Sequence, residues 1–93
     1  MAKSILQIEK MCYICGSTYS LDLHHCFFAA NRELSDEDGL TVYLCRAHHT
    51  GDKGVHFNKE MDLKIKRMAQ AGYMRHYNKS IEEFRERYGK SWL

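Results

Sequence analysis

Apolar and polar positions change their rhythm along this chain, and each change marks a different kind of element. Leu21-Asp22-Leu23-His24 alternates with a period of two, the pattern of a short half-buried strand. Thr41-Val42-Tyr43-Leu44 is a second β-prone run, ending at Cys45. Between them the polar stretch from Asn31 to Gly39 reads as a loop, so strands and connection form a small hairpin-like unit. Beyond Asn58 the period becomes helical: Met61, Ile65, Met68, Ala69 and Gly72 recur at steps of three and four, with Asn58 available as N-cap. A glycine inside a helix costs about 1 kcal/mol, so this helix is expected to bend or stop at Gly72. Ser80-Ile81-Glu82-Glu83 is a capping box, Ile81, Phe84 and Tyr88 share a face, and Gly89 is a natural stop. Trp92 is expected to fold back onto the core, the alternative being an exposed anchor for a partner.

With 93 residues and no repeats, prolines or low-complexity tracts, the sequence predicts one domain spanning 1–93, of the size at which a core alone leaves little surplus stability. A structural metal would supply the missing staple. No stretch of about 18 apolar residues exists to span a bilayer, and MAKSILQIEK is too polar for a secretory segment. The expected location is the cytoplasm, where four cysteines spaced as here read as thiolate ligands; disulfides are the alternative in an oxidising compartment. The net charge of +2 is unevenly spread: residues 1–52 hold four Lys or Arg against seven Asp or Glu, and residues 53–93 hold ten against five. A basic C-terminal half can track a phosphate backbone, although a solvated helix surface explains the charge as well.

Eight of the ten Cys and His residues fall between positions 12 and 49, far denser than packing requires. Cys12-x2-Cys15 and Cys45-x2-His48 are two knuckles about thirty residues apart that straddle the expected strands, as a closed tetrahedral zinc site wants. His49 is an alternative fourth ligand, and Cys26 reads either as a further ligand or as a small buried thiol. With four ligands assigned, His24, His25, His49 and His56 remain. On one straight helix His49 and His56 would lie about 10 Å apart along the axis, but Gly51 and Gly54 allow the chain to turn back and bring them together.

These residues resemble the HNH endonuclease family, whose ββα-metal fold carries a strand ending in Asp-His or His-His, a second strand and a ligand-bearing helix. The likeness covers about Cys12 to Asn58 and runs through Cys12-x2-Cys15, Leu23-His24-His25 and Leu44-Cys45-x2-His48-His49. It implies an α+β fold: a zinc-stapled ββα-metal core over about 10–57 and a helical extension over about 58–93. It also implies His25 as general base and His24, His49 and His56 as ligands of a catalytic ion. Two features differ from the family pattern. His48 stands where many relatives have the fourth cysteine, and Asp38-Gly39-Leu40 replaces the middle Asn of the family name. Asn31 and Asn58 are the amides available to orient the base, and they read equally as a turn residue and a helix cap.

Phosphodiester hydrolysis needs an activated water and relief of charge on the leaving oxygen, tasks suited to a neutral imidazole and a Lewis-acidic ion. Three imidazoles without a carboxylate favour Zn2+, Ni2+, Co2+ or Mn2+ over Mg2+ for that ion. Arg32 can hold a phosphate oxygen or pair with Glu33 or Asp36, and Lys53 and Lys59 are candidate backbone contacts. The expectation is therefore a DNA endonuclease of low sequence preference, any specificity coming from a homodimer or a partner protein. A zinc-ribbon binding module and a recombination or replication accessory factor are the rivals.

Overall fold

A computed structural model describes residues 3–51 and 54–93. Lys53 lies outside the described residues. The chain is a small α+β unit with β1 (Leu21–His25), a 3-10 turn (Ala29–Asn31), α1 (Arg32–Asp38), β2 (Thr41–Cys45), α2 (Arg46–His49), α3 (Lys59–Tyr77) and α4 (Ile81–Tyr88). Both expected strands form. They pair antiparallel as a two-stranded sheet, with Leu21 opposite Cys45 and His25 opposite Thr41. Hydrogen bonds beyond both ends, Arg46 N–H to Ser20 O (3.0 Å) and Cys26 N–H to Leu40 O (2.9 Å), extend the same alignment.

The polar connection between the strands is not a loop. Arg32-Glu33-Leu34-Ser35-Asp36-Glu37-Asp38 forms a helix because tertiary contacts reward it. The buried Ser35 hydroxyl donates to Phe27 O (2.7 Å) and accepts from Phe27 N–H (3.1 Å). Asp38, also buried, receives Arg87 through both carboxylate oxygens (2.7 and 2.9 Å) and the Tyr88 hydroxyl (2.8 Å). Gly39 then ends the helix at φ 73°, a left-handed conformation, with the Lys3 carbonyl where a Cβ would collide with it.

In α3, Asn58 caps the start by accepting from Met61 N–H (3.1 Å), as its position suggests. The helix runs through Gly72 without stopping. There the missing side chain makes room for Leu6, whose Cδ2 lies 2.6 Å from where a Cβ would stand, so close packing repays the propensity cost. The Ser80–Glu83 capping box of α4 is complete, and Gly89 closes that helix at φ 92°. Trp92 folds back, its ring 4.7 Å from that of Phe27, while Gln70 receives Trp92 N–H (2.7 Å) and donates to Ser91 (2.8 Å).

Phe27 joins the two parts of the chain. Its ring lies 5.5 Å from Phe84 and 4.9 Å from Tyr88, within one cluster that also holds Leu40, Val42, Leu44, Ile65, Ala69 and Tyr73. The helical extension thus shares its core with the sheet. Among the described residues no helix is long and apolar enough to cross a membrane.

Candidate metal centres

The first centre is built from two backbone knuckles. Cys12 begins a tight turn in which its carbonyl accepts from Gly16 N–H (2.8 Å), and Tyr13 N–H donates to Tyr43 O (2.8 Å), tying the turn beside β2. Cys45 ends β2, and one turn of α2 brings His48 back to it. His48 Nδ1 lies 3.2 Å from Cys45 Sγ and 3.8 Å from Cys12 Sγ, and the Cys15 and Cys45 sulfurs are 3.7 Å apart. Tetrahedral zinc, with bonds of about 2.3 Å to sulfur and about 2.0 Å to nitrogen, sets sulfur–sulfur and sulfur–nitrogen edges of about 3.8 and 3.5 Å. The four ligand atoms fit that figure, and the group can hold a metal such as zinc. His48, not His49, is the fourth member.

All four cysteines are free thiols. Burial pushes the Cys12 thiol up, but backbone N–H groups of Cys45, Cys15 and Ile14 outweigh it and bring its pKa from 9.0 down to about 6, toward the thiolate a metal requires. Cys26 stands apart. It is fully buried, and burial raises its pKa far above the ordinary thiol value, so it takes the small apolar role.

The second group takes one histidine from each of three elements. His24 lies on β1 and is buried, His49 closes α2, and His56 follows the turn around Gly54. Gly54 permits that return: a Cβ there would lie 2.5 Å from the His49 carbonyl. Val55 N–H donates to His48 O (2.9 Å), which sets His56 beside His49. The two Nε2 atoms end 3.2 Å apart, and the three rings have centroids 4.8, 5.3 and 5.6 Å from one another. One nitrogen from each lies within 4.8 Å of the others. Nitrogens on a tetrahedral zinc would stand about 3.3 Å apart, so the His49–His56 separation fits.

His24 Nε2 is buried without any hydrogen-bond partner, and buried polar atoms are seldom left so. Burial first, then the neighbouring imidazoles, depress the His24 pKa from 6.5 to about 3, so its ring is neutral at pH 7 and ready to ligate. His49 Nδ1 is turned the other way, 3.2 Å from Asp22 Oδ2.

His25 is not part of this cluster. The pleat persists to the end of β1, where His25 pairs with Thr41, so His24 and His25 leave opposite faces of the strand. The His25 ring is largely covered, its Nε2 3.3 Å from Asp36 Oδ1, and it lines an open groove with Leu23, Arg32, Glu33, Asp36 and Glu37. Arg32 is exposed there and forms no ion pair among the described residues.

Asn31 is not brought to His25 either. Its amide donates to Tyr88 O (3.1 Å), locking α1 against α4, and the group that meets His25 is the carboxylate of Asp36. Asn58 serves α3 as its cap, and Lys59 is exposed at the first position of that helix. Sequence reasoning missed both carboxylates that contact histidines. Asp22 carried a signal, standing two residues before His24 on the same strand face; Asp36 carried none, since its segment reads as a loop.

No protein-family model, curated protein or solved structure matches this chain.

Proposed function

We propose that this chain is a metal-dependent endonuclease of the HNH type, hydrolysing DNA phosphodiester bonds with little sequence preference. The observation that carries the reading is the unpartnered, buried Nε2 of His24 facing the nitrogens of His49 and His56. Three imidazoles leave the fourth position of a tetrahedral ion for water or a phosphate oxygen, which suits a reactive ion better than a closed structural one. A bound divalent ion would supply relief of negative charge on the phosphate. The zinc held by Cys12, Cys15, Cys45 and His48 would staple the scaffold.

The chain's own groups supply the rest. With Nε2–H directed at Asp36, His25 keeps an unprotonated Nδ1 able to take a proton from water, and the carboxylate steadies the imidazolium that results. The hydroxide so formed attacks phosphorus as the P–O bond opposite breaks; the leaving oxygen takes a proton from solvent water and departs as an alcohol, and His25 returns its proton to solvent. His25 and the three-histidine group leave opposite faces at the end of β1, so one phosphate would meet both only by lying across that strand end. Arg32, beside His25, is placed to hold a phosphate oxygen with its planar fork. Lys59, Lys64, Arg67 and Arg75 are exposed for backbone contacts, whereas Lys66 is committed to Asp62 (2.9 Å) and to the face of Phe28 (4.5 Å).

One observation favours a second reading, a zinc-ribbon module that binds without cutting. Glu33, Asp36 and Glu37 surround His25 and repel a phosphate approaching that groove. Cleavage of supercoiled plasmid with added Mn2+, Ni2+ or Mg2+, wild type against His25→Ala, decides between them. Nicking by the wild type and its loss in the variant support the nuclease. Equal activity in both, with contaminating nuclease excluded, removes His25 from the mechanism.

A further inference from the structure

We infer that Asp22 is a positioning residue for the second metal group, an inference that rests on the three-histidine reading above. The strand alternation that turns His24 toward α2 turns Asp22 the same way, and Asp22 Oδ2 meets His49 Nδ1 at 3.2 Å. An imidazole bound to a carboxylate through Nδ1 carries its proton there, which leaves the Nε2 lone pair free. That lone pair points at His56 Nε2, 3.2 Å away, and two bare lone pairs do not face each other at such a distance without a proton or a cation between them. Asp22 therefore fixes the tautomer and rotation that make His49 a ligand.

Asp22 takes no part in the sheet core; its side chain is 42% exposed, so removing the carboxylate leaves the fold intact. Carboxylate partners of ligating histidines are typically worth about 10- to 100-fold in metal affinity. The bidentate alternative, in which Asp22 itself ligates, is disfavoured because it sits on the far nitrogen of His49, away from His24 and His56.

The test uses the full chain with zinc already at its cysteines, titrated with Co2+ and followed by visible d–d absorption, with the thiolate band near the ultraviolet reporting any exchange at the first site. Asp22→Ala is expected to weaken the second Co2+ about 10- to 100-fold and alter its spectrum, with the melting temperature and the cysteine-bound zinc unchanged. Asp22→Asn, which keeps an acceptor oxygen but no charge, is expected to fall between the two. Wild-type affinity and spectrum in Asp22→Ala overturn the inference while leaving the metal group standing. A His24→Ala control that binds the second Co2+ like wild type overturns the three-histidine reading, and the role of Asp22 with it.

Discussion

The two metal groups share α2, yet they are assembled by opposite means. In the cysteine group each pair of ligands is a local knuckle, Cys12 with Cys15 and Cys45 with His48, and the fold has only to bring two pairs together. In the histidine group only His49 and His56 are near in sequence, joined by the turn at Gly54, and β1 delivers the third ring from 25 residues before His49. The first has four donors and is closed. The second has three, one donor short of a closed tetrahedral set. The difference teaches that spacing of two or three residues preassembles donor pairs before the fold closes, while the third imidazole of the histidine group depends on strand and helix docking.

Breaking the staple is expected to have the largest effect. Structural zinc in small domains is worth about 10–16 kcal/mol of apparent binding energy, comparable with the whole stability of a domain this size. Cys45→Ala, or a strong chelator, should abolish the cooperative thermal transition followed by circular dichroism; an unchanged transition would show that the core stands without the metal.

His24→Ala separates the two groups. It should remove the second ion and all cleavage while one zinc per chain remains by elemental analysis, and loss of both metals would mean that the centres are not independent. His25→Ala sharpens the contrast between the two faces of β1. Both ions should stay bound while the rate of plasmid nicking falls about 10²- to 10⁴-fold, as for loss of a general base.

The smallest effect is expected from Asp38→Asn, which strips charge from the Arg87 and Tyr88 contacts and touches neither group. A loss of about 1.5–3 kcal/mol in urea unfolding is expected, with unaltered metal content. A change in second-ion binding there would instead link the helical part to the histidines.

Much of this was legible in the sequence wherever the signal is local. The strands, the Ser80 capping box and the cysteine knuckles depend on neighbours within four residues, and they appear where their patterns put them. The turn that returns His56 to His49 was also readable, from Gly51 and Gly54. What escaped depends on partners far along the chain. Polar composition argued against α1, and it forms because Ser35 satisfies Phe27 and Asp38 receives Arg87, contacts 8 and 49 residues away. Gly72 was read as an interruption because nothing near it announces Leu6. Asn31 and Asn58 are the amides available to His25 in the sequence, but Asn31 is spent on a carbonyl 57 residues away and Asn58 on the cap of α3.

The hydrogen bonds flanking β1, from Arg46 to Ser20 and from Cys26 to Leu40, have a consequence for how this protein can change. Sliding one strand by a single position against its neighbour would carry His25 and Leu23 under α2 and expel His24 toward Asp36. Two chemically identical side chains would then exchange surroundings without any mutation of either. Which imidazole faces α2 is thus stored in strand alignment, and a single-residue insertion between Cys15 and Leu21 is tolerable only if the extra residue is looped out before Ser20.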